Sequence, residues 1–367
     1  MHIAILTQAL HSNYGGILQN YALQEVLKQM GHNPVTLDRH LNRSSNPLKD
    51  FGKRLLQLTK SSYDQSLLTA RQKSIISSNQ ERFITQNIAR SKKLFSQQAF
   101  DEYVQENVFD AYIVGSDQCW RPMYSANIFN CFLDFLPDSS TAKRIAYAAS
   151  FGVDKWEFSN VQSLQLPSLA KRFDAISVRE ESAVALCKRY LGVSSSWVLD
   201  PTMLLGCSGF ERFIQPISEK NYLLTYFLEA SDEVQELCSS IQDRYHLSSS
   251  VDNLSCNVFH RGQNLKSAKN LSVEKWLSNI YHSSFVVTDS FHGAVFSILF
   301  NKPFVVRLNK VRGNARLESL LTDFNLKDCI VTSKEIPAID FDWERINRHL
   351  TERQAESMSF LRNALAS

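Results

Sequence analysis

A histidine at the end of an apolar strand pattern is the first residue of the sequence that suggests chemistry. It belongs to the stretch TDSFHGAVFSILFNKPFVV, residues 288–306, where a β-branched run stops at Asp289 and a helical pattern follows. His292 therefore lies at a predicted helix N-terminus, beside Ser290 and Gly293. An imidazole can act as a general acid or base near neutral pH, and a glycine lets a ligand approach the backbone closely. A lone histidine is more often structural, but this position favours function.

Polar residues also follow the predicted strand 111–116. The stretch VGSDQCW, residues 114–120, places Ser116, Asp117 and Gln118 just beyond a buried strand. A carboxylate there can accept a proton from a hydroxyl group or orient it. The alternative is a helix N-cap formed by the serine or the aspartate.

Two further stretches supply cations. Arg179, in SVREESA, ends another predicted strand, and its planar head suits a carboxylate or a phosphate; the alternative is an ion pair with Glu180, Glu181 or Asp200. Lys310, Arg312 and Arg316 surround Gly313 in RLNKVRGNARLESLL. They suit a doubly charged anion, or they belong to an ordinary surface loop.

A pair of glycines starts the first predicted helix. In HSNYGGILQNYALQ, residues 11–24, Asn13 and Tyr14 precede Gly15 and Gly16. Backbone N–H groups at such a turn can bind an anion at the positive helix end. The pattern is neither the GxGxxG nor the Walker sequence, so it predicts no dinucleotide or nucleoside triphosphate. Packing is an equally good reason for the two glycines.

Short apolar strands alternate with helical patterns, which predicts an α/β fold with parallel sheets. The first half predicts strands at 2–7, 35–39, 111–116, 145–149, 175–179 and 197–200, and a first helix that ends at Gly31. The second half predicts strands at 221–228, 248–252, 256–260, 285–288, 304–308 and 329–331.

These elements predict two Rossmann-like doubly wound domains that face a cleft. We place the domains at 1–214 and 215–342, with an inserted helical segment over 41–100 and an amphipathic helix over 343–367. Ligands of such sheets bind beyond the carboxyl ends of the strands, where the polar residues above are found.

Composition excludes several classes of protein. The 367 residues are 44% hydrophobic with a formal charge of +3, which fits a folded protein and gives no argument for a nucleic acid partner. Residues 39–93 hold twelve Lys/Arg and three Asp/Glu, so this segment either faces anionic groups, such as a membrane surface, or forms a solvated helical face. The seven scattered cysteines and the N-terminal sequence predict a cytoplasmic protein with reduced thiols.

Seven stretches, in order, resemble the polysaccharide pyruvyl transferase family. They cover most of the chain outside 41–100 and the C-terminal tail, and they read NYGGILQNYALQ, DAYIVGSDQCW, RIAYAASFG, SVREESAVAL, VLDPTMLL, TDSFHGAVFSILFNKPFVV and RLESLL. The resemblance implies a GT-B-like arrangement of the two domains. It also implies transfer of a pyruvyl group from phosphoenolpyruvate to a sugar, which forms a cyclic ketal and releases phosphate.

The resemblance also implies roles for the candidate residues. The catalytic residues would be His292 as the acid or base and Asp117 at the acceptor hydroxyl. Donor binding would fall to Arg179, Ser290, Gly293, Lys310, Arg312 and Arg316. Acceptor binding would fall to Asn13, Tyr14, Gly15, Gly16, Ser116 and Gln118. The chemistry calls for no metal and no cofactor besides phosphoenolpyruvate as the donor.

Two other functions remain open on the sequence alone. A GT-B-like chain can transfer a sugar from a nucleotide-sugar, or it can serve as a non-catalytic component of a polysaccharide assembly complex. The acceptor sugar stays open as well. A polyprenyl-diphosphate-linked sugar would suit the basic segment 39–93 at the inner face of a membrane.

Overall fold

The computed structural model describes residues 1–40, 47–228, 232–253, 258–260, 263–308, 313–331 and 339–366. Strands in this part of the chain are β1 His2–Leu6, β2 Asn33–Thr36, β3 Ser62–Asp64, β4 Ala111–Val114, β5 Lys143–Ala149, β6 Ala175–Val178, β7 Ser196–Trp197, β8 Tyr222–Tyr226, β9 Ser249–Asp252, β10 Val258–His260, β11 Phe285–Thr288 and β12 Phe304–Val306.

The α-helices of the described ranges are α1 Tyr14–Gln29, α2 Pro47–Thr59, α3 Ala70–Ile76, α4 Ser78–Asn87, α5 Gln97–Glu106, α6 Asn160–Ala170, α7 Glu181–Leu186, α8 Pro201–Leu205, α9 Asp232–Tyr245, α10 Val273–His282, α11 Phe291–Leu299, α12 Ala315–Asp323 and α13 Trp343–Ala366. α1 ends as the sequence predicts. Gly31 adopts φ +84° just beyond it, a conformation that glycine reaches without strain and that turns the chain back toward β2.

The N-terminal sheet has six parallel strands in the order β2-β1-β4-β5-β6-β7. β4 is buried along its whole length, as expected for a strand covered by helices on both faces. The order reverses between β1 and β4, and this switch point is where doubly wound sheets open a crevice for ligands. The loops after β1 and β4 carry the predicted residues Asn13 and Asp117.

The C-terminal sheet repeats the plan with four parallel strands, β12-β11-β8-β9. Its switch point falls between β8 and β11. There Asp289 closes the turn, since its Oδ1 accepts a hydrogen bond of 2.7 Å from the backbone N–H of Leu228. α11 begins two residues later, with Ser290 as its N-cap.

The inserted segment makes contacts with both domains and is not an appendage of the N-terminal domain alone. Its strand β3 pairs antiparallel with β10, so the predicted strand 256–260 belongs to this small sheet, as far as it is described, and not to the C-terminal one. α4 adds side-chain bonds across the same boundary, because Gln80 Nε2 donates 2.8 Å to the carbonyl oxygen of Leu271.

The prediction of a strand at 329–331 is wrong. Lys327–Cys329 form a 3₁₀ turn, and only Ile330 makes a bridge, to Val306. The N–H groups of Cys329 and Ile330 bond within the turn, to the carbonyls of Leu326 and Lys327, so they are not available to a ladder.

One apolar cluster runs through the domain boundary. Tyr14 of α1 stacks on Trp276 of α10 with ring centroids 5.3 Å apart, and Phe210 packs edge-on against Phe296 of α11. Such a boundary resembles a domain core, which favours one fixed arrangement of the two sheets.

α13 returns from the C-terminal domain to the N-terminal sheet. Its residues Leu361 and Leu365 are buried in the apolar cluster that also contains strands β1 and β5. The hydroxyl of Ser357 accepts a 3.0 Å bond from the backbone N–H of Leu199, next to the end of β7. None of the helices in the described ranges is long and apolar enough to cross a membrane.

Candidate active site

Six ionisable side chains gather where the carboxyl ends of the two sheets meet. We call them the ionic cluster: Asp117, Arg179, Glu180, Asp200, His292 and Arg316. The first four follow strands of the N-terminal sheet, and the last two come from α11 and α12 of the C-terminal domain. Because parallel strands end at the same edge, residues from distant parts of the sequence meet there.

Arg179 joins two strand ends of the N-terminal sheet. Its Nη1 lies 2.7 Å from Oδ2 of Asp200, and its Nη2 lies 3.3 Å from Oδ1 of Asp117. All three side chains are almost completely buried. Of the alternatives that the sequence leaves open for Arg179, the ion pair with Asp200 is therefore present.

Asp200 is the centre of the cluster, although the sequence indicated it only as a partner for an arginine. Its Oδ1 caps α8 by accepting from Thr202, and its Oδ2 faces both Arg179 and His292 Nε2, the latter at 3.7 Å. Burial alone would raise the pKa of Asp200, but His292 and Arg179 outweigh burial and hold that pKa well below its ordinary value. Asp200 is therefore an anion that holds Arg179 and faces His292.

His292 lies in the first turn of α11 and reaches into the N-terminal domain. A Cβ atom on Gly15 would lie only 1.9 Å from His292 Nδ1, so the imidazole rests directly against the start of α1. This contact gives Gly15 a reason to lack a side chain, and the reason is the histidine. The predicted catalytic histidine thus has its imidazole between two domains.

Asp117 adopts φ +67°, a left-handed conformation that is uncommon outside glycine and recurs at functional sites. Burial would raise its pKa, yet the charges of Arg179, His292 and Arg316 prevail and lower it. Its Oδ2 accepts from Asn13 Nδ2 at 3.4 Å. Asn13 and Asp117, predicted for the acceptor side, are therefore in contact.

Arg316 and Arg179 share one aromatic ring. Their guanidinium carbons lie 5.8 and 4.6 Å from the ring centroid of Phe291. Phe291 was not among the site residues predicted from the sequence. Burial and the nearby Arg179 charge lower the pKa of Arg316 to about 10. Arg316 forms no ion pair with any residue that the structure describes.

Three buried nitrogens of the cluster make no hydrogen bond within the described chain. They are Arg179 Nε, Arg316 Nε and His292 Nε2. Buried donors are normally satisfied, so each such nitrogen calls for an explanation, and a bound anion is the simplest one for three together.

Glu180 is a second acidic residue that the sequence did not mark as functional. Its Oε1 accepts bonds of 2.8 to 3.0 Å from Ser150 Oγ, Phe151 N and Gly152 N, which fixes the loop after β5. Burial raises its pKa above the ordinary value despite the neighbouring Arg179. We infer that Glu180 shapes the site.

Several predicted site residues serve the fold instead. Ser116 is fully buried, and its hydroxyl donates 3.0 Å to the carbonyl oxygen of Ala148. Tyr14 is stacked in the domain boundary, with its hydroxyl 2.8 Å from the carbonyl oxygen of Leu271. Both side chains are enclosed by their packing partners, and the Ser116 hydroxyl also lies 3.3 Å from Oδ2 of Asp200.

Two predicted residues at the start of α11, on either side of His292, also have roles within the fold. Ser290 accepts from the backbone N–H of Gly293 as an N-cap. Gly293 itself makes room for Thr288, whose Oγ1 lies 2.4 Å from where a Cβ would be, so that side of the backbone is not open to a ligand. Gln118 is part-buried and accepts from Arg121 at 3.1 Å.

Three predicted site residues remain, namely Gly16, Lys310 and Arg312. A Cβ on Gly16 would meet Asn13 Nδ2 at 3.1 Å and Asp117 Oδ2 at 3.4 Å, which places this glycine beside the cluster. Lys310 and Arg312 lie outside the described residues. Within the described ranges no group of three His, Cys, Asp or Glu is arranged to hold a metal ion.

A cavity of about 600 Å³ opens beside the cluster at the N-terminal switch point. We call it the basic cavity, and the residues that matter most for its character are Ser12, Arg39, His40, Lys73, Asn130 and Asn270. A second cavity of about 900 Å³ lies against α13, and none of the predicted site residues lines it.

Solved structures with the same architecture are distant in sequence. The UDP-GlcNAc 2-epimerase from Methanocaldococcus jannaschii has a TM-score of 0.54 at 8% identity, covering 96% of this chain and 92% of the other. An S. aureus MnaA-UDP co-structure (0.48, 14%, covering 98% and 90%) and a glycosyltransferase from Rickettsia africae (0.48, 10%, covering 99% and 93%) are similar. The fold is GT-B-like.

No curated protein sequence matches the chain at a significant level. The model of the polysaccharide pyruvyl transferase family, in contrast, matches residues 13–310, which include all of the ionic cluster except Arg316. Because this match extends over most of the sequence, the chain belongs to the polysaccharide pyruvyl transferase family.

Proposed function

We propose that this protein transfers a pyruvyl group from phosphoenolpyruvate to a sugar of a surface polysaccharide or of its lipid-linked precursor. The product is a cyclic pyruvate ketal, and phosphate is released. The observation that carries the proposal is the set of three buried, unpartnered nitrogens on Arg179, Arg316 and His292. Phosphoenolpyruvate carries a carboxylate and a phosphate, so it offers acceptors for all three.

Arg316 is the cation best suited to bind the donor. Arg179 is already paired with two carboxylates, so it contributes one further N–H rather than a net charge. Arg316 feels the charges of Asp117 and Glu180 but makes no direct ion pair with a described residue, and a bound dianion would supply one. Phe291 holds both guanidinium groups against one ring, which fixes the spacing between them.

The reaction requires two proton movements and one bond cleavage. A sugar hydroxyl attacks the central carbon of phosphoenolpyruvate while the methylene carbon takes a proton and becomes a methyl group. The C–O bond to phosphate then breaks, phosphate leaves with the electron pair, and the second sugar hydroxyl closes the ring. The proton of that hydroxyl leaves with phosphate, so the two hydroxyl protons account for the methyl group and the product phosphate.

His292 is the proposed acid and base for these steps. Its buried Nε2 makes no hydrogen bond within the described chain and lies 3.7 Å from Oδ2 of Asp200, so the carboxylate fixes the side of the imidazole from which a proton would be exchanged. Asp117 stays ionised at neutral pH because of its cationic neighbours, and we assign it the orientation of an acceptor hydroxyl through a hydrogen bond.

The helix α2 suggests where the protein works. Its side chains Phe51, Leu55 and Leu58 are 62%, 50% and 62% exposed, an unusual density of apolar surface on one short helix. The opposite face is anchored, because Lys53 and Gln57 donate to backbone carbonyls of the segment that follows.

The exposed cation Arg54 lies on α2 beside this apolar face, and the exposed Lys60 follows the last residue of the helix. An amphipathic helix with cations beside apolar side chains suits the surface of an anionic bilayer. We therefore extend the proposal to peripheral contact between α2 and the inner face of a membrane, from the cytoplasmic side.

Donor binding is the first test, because it needs no acceptor. Phosphoenolpyruvate is titrated into the protein and into Arg316→Gln while thermal stability is followed. Stabilisation of the wild type that is reduced about tenfold or more in apparent affinity by Arg316→Gln supports the proposal. Arg212→Gln is the matched control, because Arg212 also stacks on an aromatic ring, 4.7 Å from the centroid of Phe213, outside the cluster.

The competing functions predict different results. Stabilisation by UDP- or GDP-sugars in place of phosphoenolpyruvate would indicate glycosyl transfer and contradict the proposed donor. A protein that responds to no ligand and turns over no phosphoenolpyruvate would indicate a non-catalytic component.

A further inference from the structure

Two glycines of different domains approach each other where the loop after β5 meets the start of α12. A Cβ atom on Gly313 would lie 2.5 Å from the carbonyl oxygen of Gly152 and 2.7 Å from Cγ1 of Val153. The carbonyl oxygen belongs to the backbone, so it cannot rotate away as the end of a side chain could. The two domains therefore touch here through backbone, and the contact requires that Gly313 has no side chain.

Glu180 holds the N-terminal side of this contact. The backbone N–H of Gly152 donates 3.0 Å to Glu180 Oε1, which also accepts 2.8 Å from the N–H of Phe151 and 3.0 Å from Ser150 Oγ. The Glu180 side chain is completely buried. Three donors on one carboxylate oxygen fix the conformation of the loop, and with it the direction of the Gly152 carbonyl.

A second contact joins the next residue of the chain to α12. The backbone N–H of Glu181 donates 3.2 Å to Oγ of Ser319. Ser319 lies three residues after Arg316, so the two side chains share one side of α12. The N-terminal domain thus contacts this helix at two points, once through Gly152 and once through Glu181.

Arg316 is the residue whose position these contacts determine. It lies three residues after Gly313 and three before Ser319, so one contact precedes it and the other follows it. Its guanidinium packs on the ring of Phe291 and makes no direct ion pair with a described residue. Since no carboxylate grips this guanidinium, its location depends on how α12 is held.

We propose that Glu180 is a positioning residue for the donor site. It fixes the loop after β5 against Gly313, and this contact sets where Arg316 meets a bound anion. The inference rests on the proposed function for the identity of that anion, phosphoenolpyruvate. The C-terminal domain supplies the cation, and the N-terminal domain determines where that cation stands.

Gly313→Ala tests the contact, and Gly31→Ala is its matched control. Both glycines have φ +84°, so alanine brings the same backbone strain at either position, but Gly31 has no neighbour within 4 Å. Phosphoenolpyruvate is titrated by calorimetry into the full chain with each change. We expect Gly313→Ala to weaken its binding about tenfold and Gly31→Ala to leave it unchanged. Equal affinity of the two variants would overturn the inference.

A double-mutant cycle tests whether the contact acts through Arg316. If Gly313 matters because it places Arg316, then Gly313→Ala should weaken the donor little further once Arg316→Gln has been made. Additive losses of affinity would mean that the contact supports the fold in general, and they would overturn the assignment. A purely structural role does not predict this loss of additivity.

Two substitutions of Glu180 test the first link. Glu180→Gln keeps an oxygen that can accept the three bonds, whereas Glu180→Ala removes it. We expect Glu180→Ala to weaken donor binding about tenfold and Glu180→Gln to retain most of the affinity. Equal losses in the two, or no loss in either, would overturn the role through Gly152. If Glu180→Ala does not fold, the Gly313 comparison and the cycle decide the inference.

Failure of the proposed function gives a different result. A wild-type protein that binds no phosphoenolpyruvate would contradict the proposed function and this inference together. A wild type that binds phosphoenolpyruvate, with Gly313→Ala unaffected, would overturn the inference alone.

Discussion

The ionic cluster and the basic cavity both contain cationic side chains, but they are organised in opposite ways. In the cluster, cations and carboxylates interlock: Arg179 is held by Asp117 and Asp200, and His292 rests against Gly15. No aspartate or glutamate is among the described residues that line the cavity, and its walls are half-exposed. Paired charges hold side chains in a fixed geometry, whereas cations on a half-exposed surface attract anions and tolerate variation in what they bind.

The largest effect is expected from a substitution that removes one of the two carboxylate partners of Arg179. Asp200→Asn leaves Arg179 with one carboxylate instead of two, and we expect it to destabilise the fold by about 3–5 kcal/mol. Urea denaturation at about pH 7 measures this loss. A loss below about 1 kcal/mol would mean that the pair is not a framework for the site.

The same pair gives a pH dependence with a definite sign. The folded-state pKa of Asp200 lies below its ordinary value of 3.8, so the unfolded chain binds more protons than the folded one as pH falls toward that value. The stabilisation is complete above about pH 5 and is lost as the pH falls below about 4. Asp200→Asn should therefore lose less stability than the wild type over that interval.

The second effect removes the proposed acid and base while keeping the framework. His292→Gln should lower the rate of phosphate release from phosphoenolpyruvate and acceptor by at least ~100-fold, with the fold intact by circular dichroism. A rate within a few-fold of the wild type would remove His292 from that role.

A third change tests the contact between the domains. In Gly15→Ala the new methyl group would lie 1.9 Å from His292 Nδ1, so the imidazole or the helix must move. We expect destabilisation of about 1–3 kcal/mol and a marked loss of turnover. Gly16→Ala is the control, because its nearest contact is 3.1 Å, from a side-chain nitrogen that can shift. Equal effects of the two changes would contradict the special role of Gly15.

The smallest effect on chemistry belongs to the exposed apolar face of α2. The double change Phe51→Gln and Leu58→Gln should weaken binding to phosphatidylglycerol-containing vesicles about tenfold, because each side chain contributes roughly 1 kcal/mol when it is buried in the interface. Turnover of a soluble acceptor should stay the same. Val161→Gln with Leu164→Gln, two exposed apolar residues of α6, serves as the control. Equal losses in both pairs would refute a specific contact through α2.

The strand-to-helix turns were predictable from the sequence, and their partners were not. His292, Arg179 and Asp117 each follow an apolar run, and parallel strands bring such ends together. The sequence offers no signal for Gly15 under His292, because that contact joins residues of different domains. Asp200 had a weak signal: it follows a strand and precedes Pro201, which identifies an N-cap but not a contact with both Arg179 and His292.

Glycine shows the limit most clearly. Gly15 and Gly293 both lie in the first turn of a helix, and both suggest open backbone beside a ligand. The structure uses Gly15 to admit His292 and Gly293 to admit Thr288. The local sequence indicates that a side chain would not fit at these positions. Contacts in the folded molecule determine which group occupies the space that the missing side chain leaves. The inserted segment was predictable as helical, but its bridging role depends on β3 pairing with β10, a contact of long range.

The bond between Leu199 and Ser357 has a consequence for how the molecule comes into being. Its two residues are 158 positions apart, and Leu199 directly precedes the aspartate at the centre of the cluster. The N-terminal sheet is synthesised first, but the backbone next to Asp200 gains this hydrogen bond only after α13 has been made. A nascent chain that has formed both sheets but not α13 lacks this bond, so its backbone next to Asp200 has one hydrogen bond fewer than in the complete molecule.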